Sequence, residues 1–185
     1  MIRPNPRVKF TVKDYMSTPE GTRYQLLDGE MILAPSPVTQ HQRVLIRLYR
    51  AIHDFVSAGQ LGEVFVAPYD VVLSDHDIAQ PDILFVSSAR SAIVTEANIQ
   101  GAPDLVVEIL SPGTEEYDRG YKQALYSRHG VLEYWLVDPD AETVEVLTQG
   151  EQGLAPLDTY RRGDLIASAL LDGLALETDQ VFSQL

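Results

Sequence analysis

Apolar residues recur with the period of a helix from Thr39 to about Ala58, where Leu45, Leu48, Ile52, Phe55 and Val56 fall on one side. The opposite side carries Arg43, Arg47 and Arg50 at spacings of four and three, so three guanidinium groups share one strip. Elsewhere the pattern changes to that of strands. Tyr24 to Leu33 alternates around Asp28-Gly29, a dipeptide that accepts the positive φ angles of a tight hairpin turn. Val64 to Leu73 is Val-rich and reads as one strand, while Ile83 to Val86 and Leu105 to Leu110 are short apolar runs of the kind covered on both faces. A second helix is predicted over Glu115 to His129. Thr114 is placed to cap it, Glu115 and Glu116 suit the positive end of its dipole, and Gly130 can end it in a left-handed turn. Glu133 to Val137 and Thr143 to Leu147 flank Asp138-Pro139-Asp140 as an antiparallel pair, and a short helix over Thr11 to Ser17 precedes the hairpin.

The order of helix, strands, helix and strands predicts an α/β fold: a mixed central β-sheet flanked by helices, with an N-terminal β-hairpin. With no internal repeat and no Pro/Gly/Ser linker, residues 1–185 are expected to form a single domain whose core runs over about 38–148.

Composition narrows the function classes. At 45% hydrophobic residues the chain is in the globular range, and no apolar run approaches the roughly 20 residues that span a bilayer, so no membrane partner is expected. The opening MIRPNPRVKF has basic residues without an apolar segment behind them, so export is not expected. The absence of cysteine excludes disulfides, thiolate zinc sites and cysteine nucleophiles, and fits a cytoplasmic protein. A formal charge of −13 counts against broad non-specific binding to nucleic acid. A local basic face such as the Arg43, Arg47 and Arg50 strip can coexist with an acidic whole, although most such strips are only solvated.

The candidate chemistry starts from Glu108, a carboxylate in the middle of the otherwise apolar run LVVEIL, where an unpaired charge would cost several kcal/mol. Asp82 opens the strand PDILFV, and the two acids can meet if these strands are neighbours. Two carboxylates held close repel, and a divalent cation such as Mg²⁺ or Mn²⁺ relieves that repulsion while polarising a phosphodiester and acidifying a bound water. Lys122, one turn after Asp118 on the helix that follows the Glu108 strand, is the candidate cation beside them.

Pro81-Asp82 and Glu108 resemble the first two elements of the PD-(D/E)XK nuclease superfamily, the restriction-endonuclease-like enzymes. The third element departs: position 110 is Leu110 where the motif has lysine, and Lys122 is where a migrated lysine would stand. From Phe10 to about Phe182 the chain is also similar to the Uma-two family, described as restriction endonucleases. YQLLDGEMI, PSPVTQH, QPDILFV, GAPDLVVEILSPGT, the Asp118 and Lys122 pair, and GVLEYWLVDP carry the resemblance together, with Gln25 standing where the family usually has glutamate. The resemblance implies a restriction-endonuclease-like core, a homodimer, and DNA or another phosphodiester as substrate. It also implies Mg²⁺ or Mn²⁺ held by Asp82, Glu108 and the Ile109 carbonyl, with Lys122 orienting water or stabilising the pentavalent phosphate.

Each residue also has a plainer reading. Glu108 can form a structural ion pair, and His41, on the apolar stripe of the first helix, can be a satisfied core histidine rather than a phosphate or water contact. Ser111 and Thr114 fit a strand-to-helix turn, and Tyr134 and Trp135 fit the core. The preferred expectation is a metal-dependent DNA endonuclease. The alternatives are a catalytically degenerate binding or assembly module, or a hydrolase of small phosphodiesters.

Overall fold

The computed structural model of the protein describes residues 9–19 and 24–183. The N-terminal stretch read above for a secretory signal lies, up to Val8, outside the described residues.

The first helix α1 (Val12–Tyr15) is capped by Thr11, whose hydroxyl accepts from the Asp14 N–H while the Asp14 carboxylate accepts from the Thr11 N–H. Strands β1 (Tyr24–Leu27) and β2 (Glu30–Leu33) form the predicted hairpin, with Asp28 and Gly29 at φ of 52° and 74°. Helix α2 (Thr39–Gly59) buries His41, Val44, Leu48, Ile52 and Val56, the three-and-four spacing of a single stripe.

The run Val64 to Leu73 is two strands rather than the one expected. β3 (Gly62–Val66) and β4 (Val71–Ser74) belong to different sheets, separated by Ala67-Pro68, where proline offers no N–H to a ladder. Next come β5 (Asp77–Ala79), β6 (Ile83–Ser87), β7 (Ile99–Gln100) and β8 (Leu105–Ile109). The second predicted helix is interrupted: α3 (Glu115–Tyr117) runs into a π turn (Asp118–Lys122) and then α4 (Gln123–His129). Thr114 does not cap it with its side chain; its hydroxyl lies 3.0 Å from that of Ser111. Gly130 ends the helix at φ 83°, as its sequence position suggested. The expected pair β9 (Glu133–Asp138) and β10 (Thr143–Gly150) is antiparallel and is extended by β11 (Gly153–Arg161). The chain closes with the hairpin β12 (Leu165–Ala167) and β13 (Ala175–Glu177) and helix α5 (Thr178–Phe182).

The central sheet is mixed, in the order β11-β10-β9-β8-β6-β3, with β8 and β9 parallel and the other neighbours antiparallel. A second mixed sheet, β2-β1-β5-β4-β7, absorbs the N-terminal hairpin. Strand β8 is covered on both sides. Leu105, Val107 and Ile109 pack with α2, while Val106 and Leu110 pack with Leu125 and Tyr126 of α4. Glu108 therefore points to the α4 side. No helix among the described residues is long and apolar enough to cross a membrane.

Candidate active site

Asp82 immediately precedes β6, which pairs antiparallel with β8 through Ile83 opposite Val107 and Leu84 opposite Val106. Continued by one step, that register sets Asp82 opposite Glu108, and opposed residues of an antiparallel pair project to one face. Asp82 is fixed in place: its Oδ2 accepts the Ile109 N–H at 2.7 Å and lies 3.3 Å from His41 Nε2, while its carbonyl accepts the Ala67 N–H at 3.1 Å.

Glu108 is equally constrained. Its Oε1 accepts from Lys122 Nζ at 3.0 Å and from the Tyr126 hydroxyl at 2.7 Å, and Lys122 Nζ also lies 2.8 Å from Asp118 Oδ1. Asp118, Lys122 and Tyr126 stand four apart, and the π turn that contains the first two is the element that delivers both to the buried side. Tyr134, from β9, donates to the Asp118 carbonyl at 3.0 Å. Leu110, at the motif's lysine position, is buried with Leu125 and Tyr126, and Lys122 reaches Glu108 from the helix.

Three carboxylates thus share one ammonium and one imidazole. Burial pushes Glu108 up to about 8, the Lys122 ammonium pulling against this and the charges of Asp118 and Asp82 adding to it. For Lys122 burial favours the neutral amine, but Glu108 and Asp118 override it and hold the group protonated well above its ordinary range. Burial likewise opposes a charged His41, yet Asp82, with the Ile109 backbone and Asp118 behind it, raises His41 above its usual value. Fully ionised, the three carboxylates would outnumber the two cationic groups.

The donor set suits a divalent cation. Asp82 Oδ1 and Glu108 Oε2 accept no hydrogen bond from any described residue, and Asp82, Glu108, Ile109 and Lys122 all line one cavity of about 470 Å³. Among the described residues no three His, Asp or Glu side chains close into a cage. Two carboxylates with a main-chain carbonyl would leave positions for water and phosphate oxygens, which is how Mg²⁺ is usually held.

The arginine strip and the second Pro-Asp do not line this cavity. Arg43 and Arg50 are exposed on α2, whereas Arg47 donates from Nη1 to the carbonyls of Val181 and Ser183 at 3.2 and 2.6 Å and so ties down α5. The second Pro-Asp, Pro103-Asp104, is structural: the Asp104 carboxylate accepts the Ser87 N–H and the Arg90 guanidinium. Gln25 lines the cavity and accepts the Gln80 N–H. Tyr126 is the residue that sequence reasoning missed. Its position, one turn after Lys122 on the Asp118 and Lys122 face, was the available signal.

Comparison with known proteins agrees with this architecture. A curated relative, the uncharacterized protein slr1290 of Synechocystis sp. (strain ATCC 27184 / PCC 6803 / Kazusa), is 24% identical over 181 residues, covering 96% of this chain and 93% of its own. The crystal structure of a "putative nuclease belonging to DUF820" from Anabaena variabilis ATCC 29413 superposes with a TM-score of 0.79 at 23% identity, covering 94% of this chain and 98% of that one, and so shares the fold. Residues 12–179 match the profile of the family Uma2, described as "Putative restriction endonuclease", and the chain belongs to that family.

Proposed function

We propose that the protein is a metal-dependent nuclease that hydrolyses DNA phosphodiesters, with Asp82, Glu108 and Lys122 as its core. One observation carries the reading: the β6–β8 register sets Asp82 opposite Glu108, each with an oxygen unclaimed, in a cavity that Lys122 also lines. Asp82, Glu108 and the Ile109 carbonyl are the groups that would hold Mg²⁺ or Mn²⁺. Such an ion, when bound, polarises the phosphodiester and acidifies a water.

The chain's own residues supply the rest. Held protonated, Lys122 cannot accept a proton; it donates from Nζ to a phosphate oxygen and stabilises the charge that develops there. Asp118 fixes that ammonium, and Tyr126 fixes the Glu108 carboxylate that faces it. The Ile109 N–H and His41 orient Asp82. Activity in the cytoplasm as a homodimer is part of the same proposal, and sedimentation would read the mass.

A non-cleaving binding module is the second reading, favoured by Lys122 already meeting two carboxylates at 2% exposure. Single-turnover assays on labelled DNA with and without Mn²⁺ separate the two. Metal-dependent cleavage by the wild type that is lost in Asp82→Ala supports the nuclease; DNA binding without cleavage under every metal condition supports the module.

A further inference from the structure

Resting on the nuclease reading, we infer that the substrate strand enters the site unpaired, so that the enzyme acts on single-stranded DNA or an unpaired flap and not on continuous duplex. Glu108 and Lys122 side chains are only 4% and 3% exposed, so a scissile phosphate must come into the cavity to meet them. At about 470 Å³ that cavity is the size of a small-molecule pocket and far too small for a base-paired segment. Its lining includes Pro35, Pro37 and Val38 before α2, with Pro68 and Pro112, so a nucleotide that leaves the helix and enters the cavity meets apolar surface around the buried groups.

The wall chemistry suits a base rather than a row of phosphates. Proline and aliphatic surfaces offer apolar contact to a nucleobase face. Gln25 Nε2 and the Gln42 side chain donate to no described residue, which leaves two amides in the cavity wall for base edges. Charge points the same way. Among the described residues, Lys9, Arg47, Arg90, Arg119, Lys122, Arg128, Arg161 and Arg162 are bonded to carboxylates, carbonyls or a tyrosine hydroxyl, whereas Lys13, Arg43 and Arg50 have no such partner. Duplex-binding proteins commonly neutralise roughly six to ten phosphates. Few cations among the described residues are uncommitted, and a net charge of −13 suits a strand gripped mainly through its bases.

The test uses the full-length protein with Mn²⁺ and one labelled sequence presented as a single strand, as a continuous duplex and as a duplex with an unpaired flap. Single-turnover cleavage is expected to be at least about tenfold faster on the single strand and the flap than on the duplex, with cuts in unpaired nucleotides. A smaller preference, or faster duplex cleavage, overturns the inference while leaving the nuclease reading standing. No cleavage of any of the three overturns the nuclease reading and the inference with it.

Discussion

At the residue scale the decisive group is Glu108, a carboxylate whose folded environment favours its protonated form. Its value rises from an ordinary 4.5 to about 8 because burial and the neighbouring carboxylates outweigh Lys122 and Tyr126. The stability that this shift contributes is complete below pH 4.5 and is lost as pH rises through about 8. In metal-free protein, thermal melts of the wild type should therefore fall relative to Glu108→Gln across that window. Parallel pH profiles for the two would contradict the assignment. Since a metal ion must displace the proton, Mn²⁺ affinity should increase over the same range. Lys122→Ala should slow single-turnover cleavage by roughly 100-fold, the scale of a single electrostatic stabiliser, with Mn²⁺ affinity largely kept. Tyr126→Phe removes only the hydroxyl bonded to Glu108 and should cost about tenfold. Unaltered rates in both variants would mean that the helix plays no chemical part.

At the element scale, what the sequence made legible depended on whether a rule was local. The α2 stripe and the Asp28-Gly29 turn follow from period and φ preference, and both formed where expected. The break at Pro68 inside a Val-rich run was carried by one residue, and the strand pattern on either side masked it. The π turn was illegible, because i,i+4 spacing reads as ordinary helix until the buried partners are known. Gly120 lies in that turn, and a methyl group added there would meet no atom within 4 Å, so Gly120→Ala should fold normally, whereas deleting Gly120 should rotate the helix after it and abolish cleavage. Circular dichroism and turnover together check both. The arginine strip divides in the same structural terms. Arg47→Gln leaves the Val181 and Ser183 carbonyls short of a donor and should destabilise the fold by about 1–3 kcal/mol in urea melts. Arg43→Gln and Arg50→Gln should leave stability intact and flatten the salt dependence of DNA binding by about 0.7 for each phosphate no longer neutralised.

At the scale of the whole molecule, pairing between distant segments built the site, and that is the part a sequence shows least. Asp82 and Glu108 were identifiable as an acid in front of one strand and an acid within another, but only the β6–β8 register opposes them. The second sheet and the C-terminal elements rest on long-range contacts without a local period. Glu133 is an instance: its carboxylate accepts from Trp135 Nε1, the Ser168 hydroxyl and the Ala169 and Leu170 N–H groups, pinning the returning chain against the central sheet. In the proposed nuclease this long-range pairing creates the cation site. A crystal structure of the protein soaked in Mn²⁺, with anomalous differences measured, tests it most directly. A manganese peak bonded to Asp82, Glu108 and the Ile109 carbonyl, and missing from Asp82→Ala, is the expected result. Full Mn²⁺ exposure with no peak between the two carboxylates, or with a peak only elsewhere, would contradict it.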